Sequence, residues 1–199
     1  MDRLATGSHD LPVSPALAAF MRTRWATPPP PSTPAAVVAP YAAARRAALA
    51  ERFPGERLVV PAGPPKVRSN DCDHRYRPHT AYAHLTGDAT ADTGPGAVLV
   101  LEPVGGGHEA VLYRQPPSGR DGDAFFRDRR HGEFWVGARE TLAGTERRLG
   151  LVCRPLDALP GALRLSVPAR VMLGVEPAVD AAVPVKDPAL MNRDRKSVV

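Results

Sequence analysis

Proline restricts what this chain can fold into more than any other residue. Twenty-three of its 199 residues are proline, more than twice the usual share of about 5%. Each lacks an amide hydrogen and clashes with the helical turn before it, so regular elements must fit between prolines. Proline and glycine together make up 40 of the 199 residues, below the roughly 25–30% that marks a disordered chain. With hydrophobic residues at 43% and charged residues at 24%, a folded core is affordable. The expectation is one folded domain with proline-rich ends. Collagen, coiled coil and intrinsic disorder are excluded. The length suits one domain of about 100–200 residues with appendages, and a cleft between two full-sized domains does not fit.

The 26 basic and 21 acidic residues leave a formal charge of +5. Only Lys66, Lys186 and Lys196 are lysines, and the remaining basic residues are arginines. A basic chain permits a nucleic-acid partner. Here, however, acidic residues are interleaved among the arginines, and unneutralised acids repel phosphate, so no nucleic acid is expected. Cys72 and Cys153 lack a CxxC spacing, which points to neither a disulfide scaffold nor a zinc site. The stretch from Met1 to Leu11 has no apolar core and does not read as a signal peptide. No apolar run approaches the roughly 20 residues a membrane span needs. A cytoplasmic, membrane-free protein is expected.

Ser14-Pro15 reads as a helix N-cap followed by proline at the first helical position. Leu17, Phe20, Met21 and Trp25 follow at helical spacing as one apolar stripe. This amphipathic arm ends before the stiff linker Pro28–Pro31, and a lone helix this short must dock to persist. Pro40 to Phe53 predicts a helix with Tyr41, Ala44, Ala48 and Leu49 on one side. Leu58-Val59-Val60 predicts a buried strand, and Pro61 to Pro78 a long polar loop. Ala97 to Leu101 and Glu109 to Tyr113 predict a hairpin around Gly105-Gly106-Gly107. Phe134-Trp135-Val136 reads as a short strand, and Thr141 to Leu149 as a helix leading into a strand at Leu151-Val152-Cys153. A helix at Asp157 to Leu163 and a strand at Arg170 to Leu173 complete the pattern. Helices and short strands alternate, so the fold class is α/β, a mixed β-sheet flanked by helices and preceded by a helical arm.

The residues alone show no convincing acid, base, nucleophile or metal cage. Asp71-Cys72-Asp73-His74 offers four ligand types in a row, but neighbours in a strand point alternately up and down and do not converge on one ion. His79 and His84 are five apart, whereas a helical zinc pair needs four. The three glycines after Val104 are not followed by Lys-Ser or Lys-Thr, so they read as a turn rather than a phosphate loop. Arg127, Arg129, Arg130 and His131 read as a solvated loop. Trp135 between glycines suits either a core or an interface, where indole is favoured.

Three segments taken in order add more. They are Phe53 to Val60, Arg68-Ser69-Asn70-Asp71, and Tyr76 to Tyr82 running into Leu85-Thr86-Gly87. Ala97 to Glu102 and Glu133 to Gly137 with Arg139 follow. In this order, over roughly residues 36–187, the chain resembles the N-terminal domain of aminopeptidase P, the Xaa-Pro aminopeptidase family. The resemblance implies a creatinase/prolidase-type N-terminal domain that packs on a larger catalytic domain. There two Asp, one His and two Glu hold two manganese ions, and a bridging water attacks the bond before proline. It further implies that the N-terminal domain narrows the entrance, helps select Xaa-Pro peptides and builds an oligomer. Trp135 and Arg139 are the substrate-binding candidates carried over, and Tyr82 and Leu85 read as core.

No His or Cys occurs after Cys153. The metal-binding domain is therefore expected to be missing, by truncation or frameshift, leaving no catalytic residue, metal ligand or cofactor in this chain. The division expected is an arm and linker at 1–35, the aminopeptidase P N-terminal domain at 36–180 and an irregular tail at 181–199. The partner expected is the chain's own C-terminal catalytic domain or intact aminopeptidase subunits. The alternative reading is a non-catalytic module that assembles with such subunits through the stripe from Leu17 to Trp25.

Overall fold

The run from Arg57 to Pro61 decides the architecture, because all five positions are buried. A strand covered on both faces belongs in the middle of a sheet. The computed structural model describes residues 14–26, 34–70, 72–89, 93–164, 166–183 and 185–186. These fall into two compact units: 14–26 with 118–138, and the remainder. The proline linker at 28–31 and the end of the tail from 187 lie outside the described residues.

The larger unit is built on a six-stranded sheet. Its strands are β1 (Arg57–Pro61), β4 (Val98–Val104), β5 (Gly107–Arg114), β6 (Val152–Pro155), β7 (Ala169–Val171) and β8 (Val185–Lys186), in the order β6-β5-β4-β1-β7-β8. The pairs β1–β4 and β4–β5 are antiparallel, whereas β5–β6, β1–β7 and β7–β8 are parallel. The sheet is therefore mixed, in agreement with the α/β expectation. β8 lies inside the stretch read as an irregular tail.

Alternation along the strands sorts side chains onto two faces. Leu58, Val60, Leu99, Leu101 and Leu112 enter one core with Leu49, Phe53, Tyr82, Leu85 and Leu149. Those partners come from α2 (Ala39–Ala50), α3 (Thr80–Thr86), α6 (Leu142–Leu149) and the turn after α2. Val59, Val98, Val100, Val111 and Val171 enter the other core. That face is covered by Leu159 of α7 (Leu159–Leu163) and Val179 of α8 (Pro177–Ala182). Tyr82 and Leu85 are core, as the sequence implied. Gly105 and Gly106 make the β4–β5 turn with φ of 49° and 92°, the two left-handed positions of a type I′ hairpin.

Several local expectations are corrected. The buried face of α2 is Ala42, Arg46, Leu49 and Ala50, while Tyr41 is exposed. The apolar count misplaced this face because Arg46 is a buried cap: it and Arg45 donate to Leu85 O and His84 O, last-turn carbonyls of α3. The α3 helix itself was not foreseen. Its N-cap is His79, whose ring accepts from Ala81 N, and left-handed Gly87 stops it, so the usual Ser/Thr/Asp cap signal is absent. The loop 61–78 also contains a small exposed hairpin of β2 (Val67–Ser69) and β3 (Cys72–Asp73).

At one edge of the large sheet, the β6 donors that point away from β5 are occupied or missing. Cys153 N–H donates to Glu146 Oε1 at 2.8 Å, and Pro155 has no N–H.

The smaller unit contains α1 (Pro15–Met21), α4 (Ala124–Arg127) and α5 (Glu133–Val136). Ser14 caps α1 by accepting from Leu17 N, as expected. The helix ends at Met21 rather than running to Trp25, because Arg24 takes a left-handed φ of 64° and turns the chain back. The buried residue of α1 is Ala18, and Leu17 and Phe20 of the predicted stripe stay exposed.

Candidate interaction site

The segment expected to be a strand at Phe134-Trp135-Val136 is a single helical turn instead. Its aromatic and β-branched residues favour strands, but the flanking glycines limit it to four residues. Gly132 is the extended N-cap, Glu133 occupies the first turn and Gly137, at φ 78°, ends it. Just before it, Asp128 Oδ1 accepts from the N–H groups of Arg130 and His131 and folds the basic run back on itself. Burial works to raise the Asp128 pKa, but these hydrogen bonds outweigh it and hold the carboxyl below its ordinary value.

This turn carries an aromatic cluster. The ring of Trp25 meets Phe125 edge-on at 5.0 Å between centroids, and Phe134 at 6.3 Å. Phe134 also packs edge-on against Phe125 at 6.0 Å and Trp135 at 5.3 Å. Phe125 and Phe126 are buried, whereas Trp25, Phe134 and Trp135 are 45%, 46% and 51% exposed. Both indoles are fixed by main-chain carbonyls: Trp25 donates to Met21 O and Trp135 to Phe126 O. The Arg120 guanidinium lies 6.0 Å from the Trp25 ring centre and that of Arg129 lies 5.6 Å from Trp135. Such a surface offers apolar area and edge-on rings for contact. It supplies no nucleophile.

Trp135 is thus presented to solvent by the smaller unit. Arg139, the other candidate, is half-buried and belongs to the larger one.

The larger unit holds a polar cluster that the sequence did not reveal. Arg148 pairs with Glu140 at 2.9 Å and Asp88 at 3.1 Å, and Arg114 lies 3.7 Å from Glu140 and donates to the Thr145 hydroxyl. Asp88, Arg114 and Thr145 are buried. Burial disfavours the Arg148 cation, yet Glu140 and Asp88 more than compensate and its pKa is raised. The Tyr82 hydroxyl is buried without a hydrogen-bond partner, and burial raises its pKa well above the ordinary value. Burial also pushes the Cys153 thiol up to about 12. Two cations facing two carboxylates balance in a largely enclosed setting, which ties the loop after α3 to α6. Asp88 and Arg148 are 60 residues apart, too far for any local pattern to signal.

A cavity of about 810 Å³ lies between α2 and the β4–β5 hairpin, lined by Ala43, Ala47, Leu101, Pro103 and Val104 among others. Arg46 reaches its wall, but its guanidinium donates to Leu85 O. Among the described residues no group of three or more His, Cys, Asp or Glu could hold a metal ion. Cys72 and Asp73 sit exposed on β3, and Asp71 lies outside the described residues. A manganese pair does not fit these residues. No helix among them is long and apolar enough to cross a membrane.

Comparison with known proteins bears on this geometry. The family described as "Aminopeptidase P, N-terminal domain" matches residues 42–170. Xaa-Pro aminopeptidase 2 of Streptomyces coelicolor is 47% identical over 174 residues, covering 86% of this chain and 36% of that protein. Xaa-Pro aminopeptidase 1 of the same organism is 42% identical over 172 residues, covering 86% and 34%. The chain therefore spans about a third of the length of the curated relatives it matches. Among solved structures, aminopeptidase P from E. coli with the inhibitor Pro-Leu superposes with a TM-score of 0.60 at 22% identity, covering 74% of this chain and 32% of that one. Pseudomonas aeruginosa aminopeptidase PepP gives 0.56 at 25%, covering 81% and 34%.

Proposed function

Because the chain belongs to the aminopeptidase P N-terminal domain family, we propose that it is the accessory part of a manganese-dependent Xaa-Pro aminopeptidase. Such an enzyme removes the residue that precedes proline at the start of a peptide. The observation that carries this reading is 47% identity across 86% of the chain, falling on only 36% of the relative. The metal pair and the hydrolysis belong to a separate catalytic part. This chain frames access to it and contributes to an oligomer, with Trp135 and Arg139 on the substrate side. An indole half-exposed beside a guanidinium suits contact with a peptide. The free thiols Cys72 and Cys153 fit a reducing, cytoplasmic setting.

Two experiments test this. The purified chain, given manganese and an Xaa-Pro peptide, is expected to release no N-terminal residue, and chelator-sensitive release would overturn the reading. Grafted in place of the matching third of Xaa-Pro aminopeptidase 2, the chain is expected to restore Xaa-Pro cleavage. Trp135→Ala in that graft is expected to raise KM more than it lowers kcat.

A second reading, an interaction module that joins intact aminopeptidase subunits, is favoured by the exposed Leu17 and Phe20 of α1. Co-purification of tagged chain with Xaa-Pro aminopeptidase 2 supports it, and separate elution refutes it.

A further inference from the structure

The smaller unit has more exposed aromatic surface than its own core explains. Its described residues are thirteen from 14–26 and twenty-one from 118–138, and only Ala18, Phe125 and Phe126 form its buried cluster, with Met21 packed against them. Here the contiguous rings of Trp25, Phe134 and Trp135 remain about half exposed. A joined apolar patch of this kind marks an interaction surface.

Charge identifies the occupant. Arg22 and Arg127 both lean on Asp123, at 3.5 and 3.8 Å. Asp128 is taken up by His131 and the backbone. Arg24, Arg120 and Arg130 have no carboxylate partner among the described residues. The unit therefore combines exposed aromatic rings with three arginines that have no carboxylate partner among the described residues, of which Arg120 lies against the Trp25 ring. A second copy of this chain would set the same arginines against one another, which opposes pairing. A single-stranded nucleic acid would stack its bases on open ring faces, but Arg120 and Arg129 already lie over the two indoles.

We propose that the Trp25–Phe134–Trp135 surface is a docking site for an acidic protein segment that presents apolar side chains between its Asp and Glu residues. The apolar side chains cover the rings, and the carboxylates pair with Arg24, Arg120 and Arg130. This assignment stands on the surface alone and does not require the aminopeptidase reading.

The two tryptophans of the chain both lie in this unit, so intrinsic fluorescence reports the site directly. The probe is a synthetic 20-residue peptide of Glu and Leu at helical spacing, titrated into the full chain, with a Lys/Leu peptide of the same pattern and single-stranded dT20 as comparisons. Saturable change in tryptophan emission is expected with the acidic peptide, weakening about tenfold when salt rises from 50 to 500 mM. The Lys/Leu peptide and dT20 are expected to bind at least about tenfold more weakly. Arg24→Glu combined with Arg130→Glu, both on exposed side chains, is expected to cost a similar factor while the thermal melt stays unchanged. Trp135→Ala is expected to do the same, read through Trp25. Equal binding of the Lys/Leu peptide, tighter binding of dT20, or no saturable response overturns the proposal. So does a concentration-dependent dimer, seen by sedimentation and abolished by Trp135→Ala.

Discussion

Replacing Gly132 by alanine should dismantle the aromatic surface and leave the sheet intact. Gly132 has an ordinary φ of −67°, so its need for glycine is one of space. An added Cβ would lie 2.5 Å from Asp128 O and 2.6 Å from Phe125 O, and closer still to Ala124 O. All three are main-chain atoms, and no side-chain rotation relieves the clash. Overpacking of this kind costs about 1–3 kcal/mol, and an unyielding backbone puts it near the upper end. Phe125 and Phe126, the large residues of the local core, contribute only about 1.5–3 kcal/mol each by burial. A penalty near 3 kcal/mol, a shift of about a hundredfold, therefore consumes much of what holds this unit closed. Tryptophan emission should move to the red and acrylamide quenching should rise, because both indoles lose their carbonyl acceptors. Far-UV circular dichroism should keep its sheet signal, and the Cys153 thiol should remain protected. Wild-type emission and quenching in Gly132→Ala would refute the reasoning.

Glu140→Ala leaves buried Arg114 without that carboxylate and Arg148 with Asp88 alone, so a loss of about 3 kcal/mol is expected in urea unfolding; a loss under about 1 kcal/mol contradicts the assignment. At pH 8 one thiol per native chain should react quickly with an aromatic disulfide reagent. That is exposed Cys72, while Cys153, buried and pushed up to about 12, waits for unfolding, and two fast thiols would disprove it. Because the folded Asp128 carboxyl is held below its ordinary value, its contribution is present above the unfolded pKa of about 3.9 and is lost as pH falls through the lower folded value. Tryptophan emission should therefore shift in acid, and Asp128→Asn should remove that step; an unchanged acid transition in the variant counts against it.

How legible the structure was in the sequence depended on the range of each interaction. The centres of β1, β4 and β5 are read directly from the apolar runs Leu58–Val60, Val98–Leu101 and Val111–Leu112, because burial on both faces leaves nothing polar there. The Gly105-Gly106 turn is equally local. The α2 face was misplaced by one position because Arg46 is buried while Tyr41 is exposed, the reverse of what hydrophobicity predicts. Phe134 to Val136 has strand-forming residues, and only the Gly132 and Gly137 conformations make it a turn of helix. Trp135 was singled out by its residue type between glycines. Trp25, which joins the same cluster through Phe134, is 110 residues from Trp135 in sequence (135 − 25), and nothing local connects the two. The Asp88–Arg148 pair was invisible for the same reason.

The β6 edge limits how this domain can join anything else. With Cys153 N–H held by Glu146 and Pro155 lacking a donor, a foreign strand finds neither of these main-chain donors to pair with there. Runaway strand addition, the first step toward fibrils, is opposed at that border even for a chain produced in excess of its partners. Growth of an assembly at this end of the sheet is thereby steered toward side chains, which select a neighbour by sequence, and away from main chain, which would accept almost any.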